Sequence, residues 1–378
     1  MGQPIDKITL KGFKSIRDLE DFPLRSLNIL IGANGAGKSN FVDFFWLLRA
    51  IADDNLPGFV IQHGGADGFF FMGPKYTRRI SACLEFGQHA YEFSLVPTSS
   101  AELMFEEQRI HFGGGSKAGG ETYSMLGGTR ESALRGPRDR ESETGRFLGR
   151  LFDVLGLNIH ESVSAWIAYH FHDTSMLAPM RRMGSVRDNE YLRPDGGNLG
   201  AFLFMLRDQH QRTYERIRDI VRLAAPFFGD FRFKPRSSNS DTMLHLEWTQ
   251  KGSDYPFLVT QLSDGTLRFI AMTTALLQPN PPSTILLDEP ELGLHPYALN
   301  LLAAMLKEAA ADTQVIVSTQ SASLLDSFEA EDIVVVERED GASTFKRQSS
   351  SELEEWLKNY SLGKLWEKNV LGGRPSDG

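Results

Sequence analysis

At 378 residues and a formal net charge of −9, the chain can bury a large core or two lobes, and it is not built to coat nucleic acid over its whole surface. A single cysteine excludes a disulfide framework and offers no zinc site. No apolar run approaches a membrane span and the N-terminus lacks the apolar core of a signal peptide, so a cytoplasmic protein without membrane contact is expected.

In chain order, Ile8-Thr9-Leu10-Lys11-Gly12-Phe13-Lys14-Ser15-Ile16-Arg17 reads as an opening strand pair. Leu27-Asn28-Ile29-Leu30-Ile31 is a short apolar run fit for a buried strand, and it feeds directly into Gly32-Ala33-Asn34-Gly35-Ala36-Gly37-Lys38-Ser39. That G-x-x-x-x-G-K-[ST] pattern turns successive backbone N–H groups toward phosphate oxygens, with Lys38 reaching the β- and γ-phosphates of ATP and the Ser39 hydroxyl set for Mg²⁺. Asn40 begins a helix over 40–49, whose N-terminal dipole adds to the anion site. Gln62 stands beside a Gly turn. Strands 80–86 and 91–96 form a hairpin around Gly87.

Residues 105–145 carry many Gly, Ser and Arg with little apolar periodicity and read as a mobile insertion. His170 and His172 with Asp173 superficially resemble metal ligands, but an i, i+2 pair beside Trp166 and Phe171 is more often a packed edge. Arg181-Arg182 with Arg187, and Arg130, Arg135, Arg138 and Arg140, are the basic clusters where nucleic acid can bind. Solvated loops explain them as well. Residues 198–223 are spaced for a helix with one buried face, and a core strand resumes near 243–248.

Ser263 and Gly265, in Gln261-Leu262-Ser263-Asp264-Gly265-Thr266, open an apolar helix over 269–277. As local chemistry Ser263 is an ordinary N-cap. Ile285-Leu286-Leu287 then ends in Asp288 and Glu289: the first suits Mg²⁺ through a water, the second suits orienting or deprotonating an attacking water. Val315-Ile316-Val317-Ser318-Thr319-Gln320 is a further apolar strand, and the chain closes with an amphipathic stretch over 353–366 and a polar tail.

The Leu262–Thr266 stretch, some twenty residues before the acidic strand, resembles the signature motif of ABC-class ATPases. Lys11-Gly12-Phe13-Lys14-Ser15 looks like the start of SMC/RecF-type members, and Glu291-Leu292-Gly293-Leu294-His295-Pro296 like the loop that crosses their dimer interface. Trp166 to Thr174, Leu192 to Leu199 and Ala225 to Asp230 are similar to bacterial predicted AAA-family ATPases of RecF/OLD type. The resemblance implies an α/β P-loop fold: a mixed central sheet, an antiparallel β subdomain and a helical lid. It divides the chain into an ATPase core over 1–97 and 236–346, an insertion over 98–235 and a C-terminal helix and tail over 347–378.

It also implies roles, among them a candidate one for Gln62, as the glutamine that senses Mg²⁺ and the γ-phosphate in ABC-class ATPases. Ser263, Asp264 and Gly265 would meet the γ-phosphate held by a second copy, so that ATP is sandwiched in a homodimer. Gln320 stands where the group has a switch histidine; glutamine can contact the γ-phosphate or the water but cannot take up a proton near neutral pH, which implies slow or partner-stimulated hydrolysis. OLD relatives carry a nuclease domain after the ATPase. Only about sixty residues follow Gln320, so an effector nuclease, in DNA repair or anti-phage defence, is expected on another polypeptide. The alternatives are the ATPase of a membrane transporter and a nucleotide switch that does not hydrolyse.

Overall fold

The computed structural model describes residues 3–113, 121–125, 127–132, 134, 159–237 and 242–373. Three sheets organise them. The first is antiparallel, in the order β2 (Ile16–Pro23), β1 (Lys7–Phe13), β4 (Ile80–Phe86), β5 (His89–Pro97), β6 (Leu103–Phe112) and β7 (Glu121–Met125). The central sheet runs β16 (Ala342–Arg347), β15 (Ile333–Glu339), β3 (Leu27–Ile31), β14 (Gln314–Thr319), β13 (Thr284–Asp288) and β8 (Trp166–Tyr169). All its pairings are parallel except β15 with β16. A small third sheet joins β10 (Phe228–Ser237), β11 (Thr242–Gln250) and β12 (Pro256–Leu258), with β9 (Gly184–Ser185) on β11.

Strands β3 and β14 are buried along their whole length, which is why they read as continuous apolar runs rather than alternating ones. Their side chains still alternate between two cores. Leu30, Leu286, Ile316 and Val334 face Phe41, Phe44 and Phe45 of the helix Lys38–Ala52 and the inner face of the antiparallel sheet. Ile29, Ile31, Leu287, Val315 and Val317 face the helices Asp264–Leu277 and Pro296–Ala309. The central sheet is thus the shared middle layer, with its strand ends held between two packed faces.

Strand pairing runs across the expected division into core and insertion. β6 pairs with β5 over nine residue partners and β8 pairs with β13, so both sheets recruit strands from within 98–235. The mobile segment expected over 105–145 falls partly on β6 and β7, and most of the remainder lies outside the described residues. The strand expected near 243–248 belongs to the third sheet, not the ATPase core. The helical stretch over 198–223 is two helices, Leu199–Gln209 and Gln211–Ala224, broken at His210. The closing stretch is likewise two, Ser350–Leu357 and Leu362–Glu367. No helix among the described residues is long and apolar enough to cross a membrane.

Candidate functional site

Adjacent parallel strands deliver their C-terminal ends to one edge, the place where open α/β sheets bind ligands. In the order β3, β14, β13, β8, those ends carry the phosphate loop, Gln320, Asp288 with Glu289, and His170. Register brings them level: Ile31 is opposite Thr319, Ser318 opposite Asp288, and Leu287 opposite Tyr169.

The phosphate loop is shaped by its surroundings as much as by its own glycines. Gly37 precedes the helix at φ 116, and a Cβ there would lie 2.0 Å from Ser343 Oγ and 2.7 Å from Ser15 Oγ. Those two hydroxyls hydrogen-bond each other at 2.7 Å, Ser343 donates to the Ala36 carbonyl, and Asn40 Nδ2 donates to Ser15 Oγ at 2.7 Å. The turn between β1 and β2 and the start of β16 therefore meet each other against the loop and brace it together. Asn34, Gly35 and Ser39 remain exposed, and Arg338 Nη1 donates to the Gly35 carbonyl at 3.1 Å.

Lys38 is buried, and its ammonium donates to the carbonyls of Gly32 at 2.7 Å and Ala33 at 3.1 Å. Burial holds its pKa below the usual lysine value, while Glu289, Asp288 and Glu291 pull it back up. One cation thus faces three carboxylates. Glu289 has φ +42, a left-handed conformation unusual for a glutamate, and its N–H is fixed by the Ser318 carbonyl at 2.8 Å. Its Oε1 accepts from the Gln320 amide side chain. Gln320 N–H donates to Glu291 Oε1 at 2.8 Å.

Asp288 Oδ1 is buried without a hydrogen-bond partner. Such an orphan at the end of an acidic strand fits a hydrated Mg²⁺. Among the described residues no three His, Cys, Asp or Glu side chains converge on a metal by themselves.

Burial raises the Glu291 pKa above the ordinary carboxylate value, with Glu289 adding to it. The folded state therefore holds this proton more tightly than the unfolded one. Stability falls as pH rises from the ordinary value through the raised one. Glu291→Gln removes that loss while keeping an acceptor for Gln320. Its melting temperature relative to the wild type should rise between pH 4 and pH 7.5; a constant difference would exclude this role for the carboxylate.

The signature turn lies apart from this cluster. Ser263 caps the helix Asp264–Leu277, its Oγ accepting from Thr266 N–H at 3.2 Å. Gly265 packs directly on the loop after β13: a Cβ would sit 2.2 Å from the Gly293 carbonyl. Ser263, Gly265, Thr266, Gly293 and His295 line a cavity of about 140 Å³. Among the described residues, no hydrogen bond joins Ser263, Asp264 or Gly265 to the phosphate loop of the same chain. Gly265→Ala should push helix and loop apart and destabilise the fold by about 1–3 kcal/mol. Thermal melting checks this, and an unchanged melting temperature would mean that the contact is slack.

Gln62 is exposed at the end of the helix Leu56–Gln62 and forms no hydrogen bond with Lys38, Asp288 or Glu289. The place beside Asp288 belongs instead to His170, since β8 neighbours β13 and the Leu287–Tyr169 pairing precedes the two residues. The His170 and His172 rings meet edge-on at 4.4 Å, and the His170 pKa is lowered by desolvation and by His172, against Asp288 and Asp43. Arg181, read from sequence as part of a basic cluster, is buried under the signature turn. Arg268 donates to the carbonyls of Phe171, His172 and Leu292. Sequence spacing gave no signal for Arg181, Arg268, Arg338 or Ser343, because each acts on residues far away in the chain.

Residues 27–102 and 137–326 match the protein family described as "AAA domain, putative AbiEii toxin, Type IV TA system". Among solved structures, the chain is similar to an SMC head bound to the C-winged helix domain of ScpA, with a TM-score of 0.54 and 17% identity over 94% of this chain and 99% of that one. It is also similar to an SMC head domain with an extended coiled coil, bound to the C-terminal domain of ScpA derived from Pyrococcus furiosus. That TM-score is 0.51, with 16% identity over 94% of this chain and 98% of the other. No curated protein matches the sequence. At these identities the structural likeness speaks for the fold.

Proposed function

The chain belongs to the AbiEii-type AAA-domain family and has the fold of an SMC-head-like, ABC-type P-loop ATPase, and from that premise we propose that it binds and hydrolyses ATP in a sandwich made by two copies. Gly32 to Ser39 and Asn40 would cradle the phosphates, Lys38 would neutralise the β- and γ-oxygens, and Ser39 and Asp288 would hold Mg²⁺, Asp288 through a water. The metal, when bound, supplies charge neutralisation on the phosphates. Glu289 orients and deprotonates the attacking water, and Gln320 holds Glu289 in place.

One observation carries the dimer reading. The signature turn is preorganised by its own cap and by Gly293, yet it is not joined to the phosphate loop of its own chain. A turn with unspent helix N–H groups and a small cavity suits a phosphate brought by another copy. Light scattering tests it: Glu289→Gln should double in mass with Mg²⁺ and ATP, and a monomer at saturating ATP would rule the sandwich out.

The ATPase, in this reading, gates a separate effector protein, a nuclease in DNA repair or anti-phage defence, on a nucleic-acid target. The SMC heads that share its fold are bound to ScpA, and the family's description, "AAA domain, putative AbiEii toxin, Type IV TA system", names a two-component system; both support work with a second component. The effector is identified by what co-purifies with Glu289→Gln from the native cell. A transmembrane subunit there would favour the transporter reading instead. A second reading, a switch that does not turn over, is favoured by the Gln320 amide already engaging Glu289. Steady phosphate release by the wild type that disappears in Lys38→Ala would dispose of it.

A further inference from the structure

Arg181 is 5% exposed and lies more than seventy residues before the signature turn in sequence, yet most of its hydrogen bonds go to that turn. Nη1 donates to the Val259 carbonyl at 2.8 Å and to Leu262 at 3.3 Å. Nη2 donates to the Leu262 carbonyl at 3.2 Å and to Asp264 Oδ1 at 2.8 Å. Nε alone turns away, to the Thr174 carbonyl at 2.9 Å. A buried guanidinium is costly to desolvate, and a packed apolar side chain fills space as well. What an apolar residue cannot do is hold two carbonyls and a carboxylate in one planar fork.

The chemistry of the turn shows what that fork accomplishes. Asp264 opens the helix with its side chain 67% exposed, so a carboxylate stands where an anionic phosphate is to be received. Among the described residues, neither Asp264 N–H nor Gly265 N–H has an acceptor, so both remain as donors at the helix N-terminus. The ion pair with Arg181 offsets the carboxylate, and the fork's grip on Leu262 sets the direction of those two N–H groups.

We propose that Arg181 is a positioning residue of the composite nucleotide site, holding the signature turn and cancelling the Asp264 charge so that a second copy's γ-phosphate can dock there. This rests on the sandwich reading. Among the described residues, none of the hydrogen bonds of Arg181 goes to the phosphate loop of its own chain, so nucleotide binding by the monomer and docking by the second copy are separable.

The experiment places Arg181→Gln, Arg181→Lys and Arg181→Gln/Asp264→Asn in the Glu289→Gln background, and measures ATP affinity at low protein concentration and ATP-dependent dimerisation by light scattering. Arg181→Gln is expected to keep its ATP affinity within about twofold and to weaken dimerisation at least tenfold. Arg181→Lys, which keeps the charge without the fork, should fall between. Adding Asp264→Asn to Arg181→Gln should recover part of the loss, because the uncancelled carboxylate is gone; general loosening of the fold would not be repaired that way. Dimerisation of Arg181→Gln within twofold of its parent, or no recovery on adding Asp264→Asn, overturns the proposal. If Arg181→Gln does not fold, Arg181→Lys carries the test: it must weaken dimerisation at least threefold with ATP affinity kept, and parental dimerisation overturns the proposal. Failure of Glu289→Gln itself to dimerise is a different result, which removes the sandwich reading.

Discussion

Glu289→Gln is expected to lower ATP turnover by about 10²-fold or more while ATP binding tightens, so that the protein accumulates as a nucleotide-bound dimer. The first part follows from general-base catalysis, which typically contributes about 10²–10⁴-fold. Glutamine has nearly the same shape and keeps an Oε1 acceptor for the Gln320 amide, so the held geometry survives and only the base is lost. The second part follows from charge. Asp288, Glu289 and Glu291 all act on Lys38, and removing one carboxylate from that group lowers the repulsion felt by an incoming polyphosphate. Single-turnover phosphate release and nucleotide titration measure the two parts separately. Turnover within a few-fold of the wild type would place the base elsewhere.

Lys38→Ala is expected to weaken ATP binding by about 10- to 100-fold, the range of a charge-assisted hydrogen bond worth about 1.5–3 kcal/mol. The ammonium is already seated in the loop by the Gly32 and Ala33 carbonyls, so it meets a phosphate with little further ordering. Its removal also leaves three carboxylates without their nearby cation, a repulsive field at the place where the γ-phosphate belongs. Fluorescent-nucleotide titration checks the size of the effect, and a circular dichroism spectrum shows whether the fold persists. Undiminished affinity would mean that the loop's N–H groups bind the nucleotide without help from lysine.

Much of this was legible in the sequence because the relevant chemistry is local. Gly32 to Ser39 is recognisable from its own glycines and the strand before it, and the strand 284–288 announces Asp288 and Glu289 by five residues of pattern. Ser263 has the sequence context of an N-cap and caps the helix Asp264–Leu277. The strand pairings that cross the expected division have a common cause. β6, β7 and β8 lie within the expected insertion, and whether an apolar stretch joins a sheet depends on an edge being open elsewhere in the chain, which no window on the sequence reports.

The same holds for the neighbours of the opening motifs. Gln62 stands beside a glycine turn at the end of its helix, and strand order brings His170 next to Asp288. Arg181 looked like one of several solvated arginines, and packing buried it under the signature turn.

By itself, then, the sequence determined a phosphate loop, an acidic strand and a signature turn, since each is encoded by residues that touch their chain neighbours. Only the tertiary structure decided what braces them: Ser15 and Ser343 against Gly37, Gln320 on Glu289, the left-handed Glu289 held by Ser318, and Arg181 on Asp264. Those contacts join residues that are distant in the chain, and their geometry exists only once the sheet has chosen its strand order.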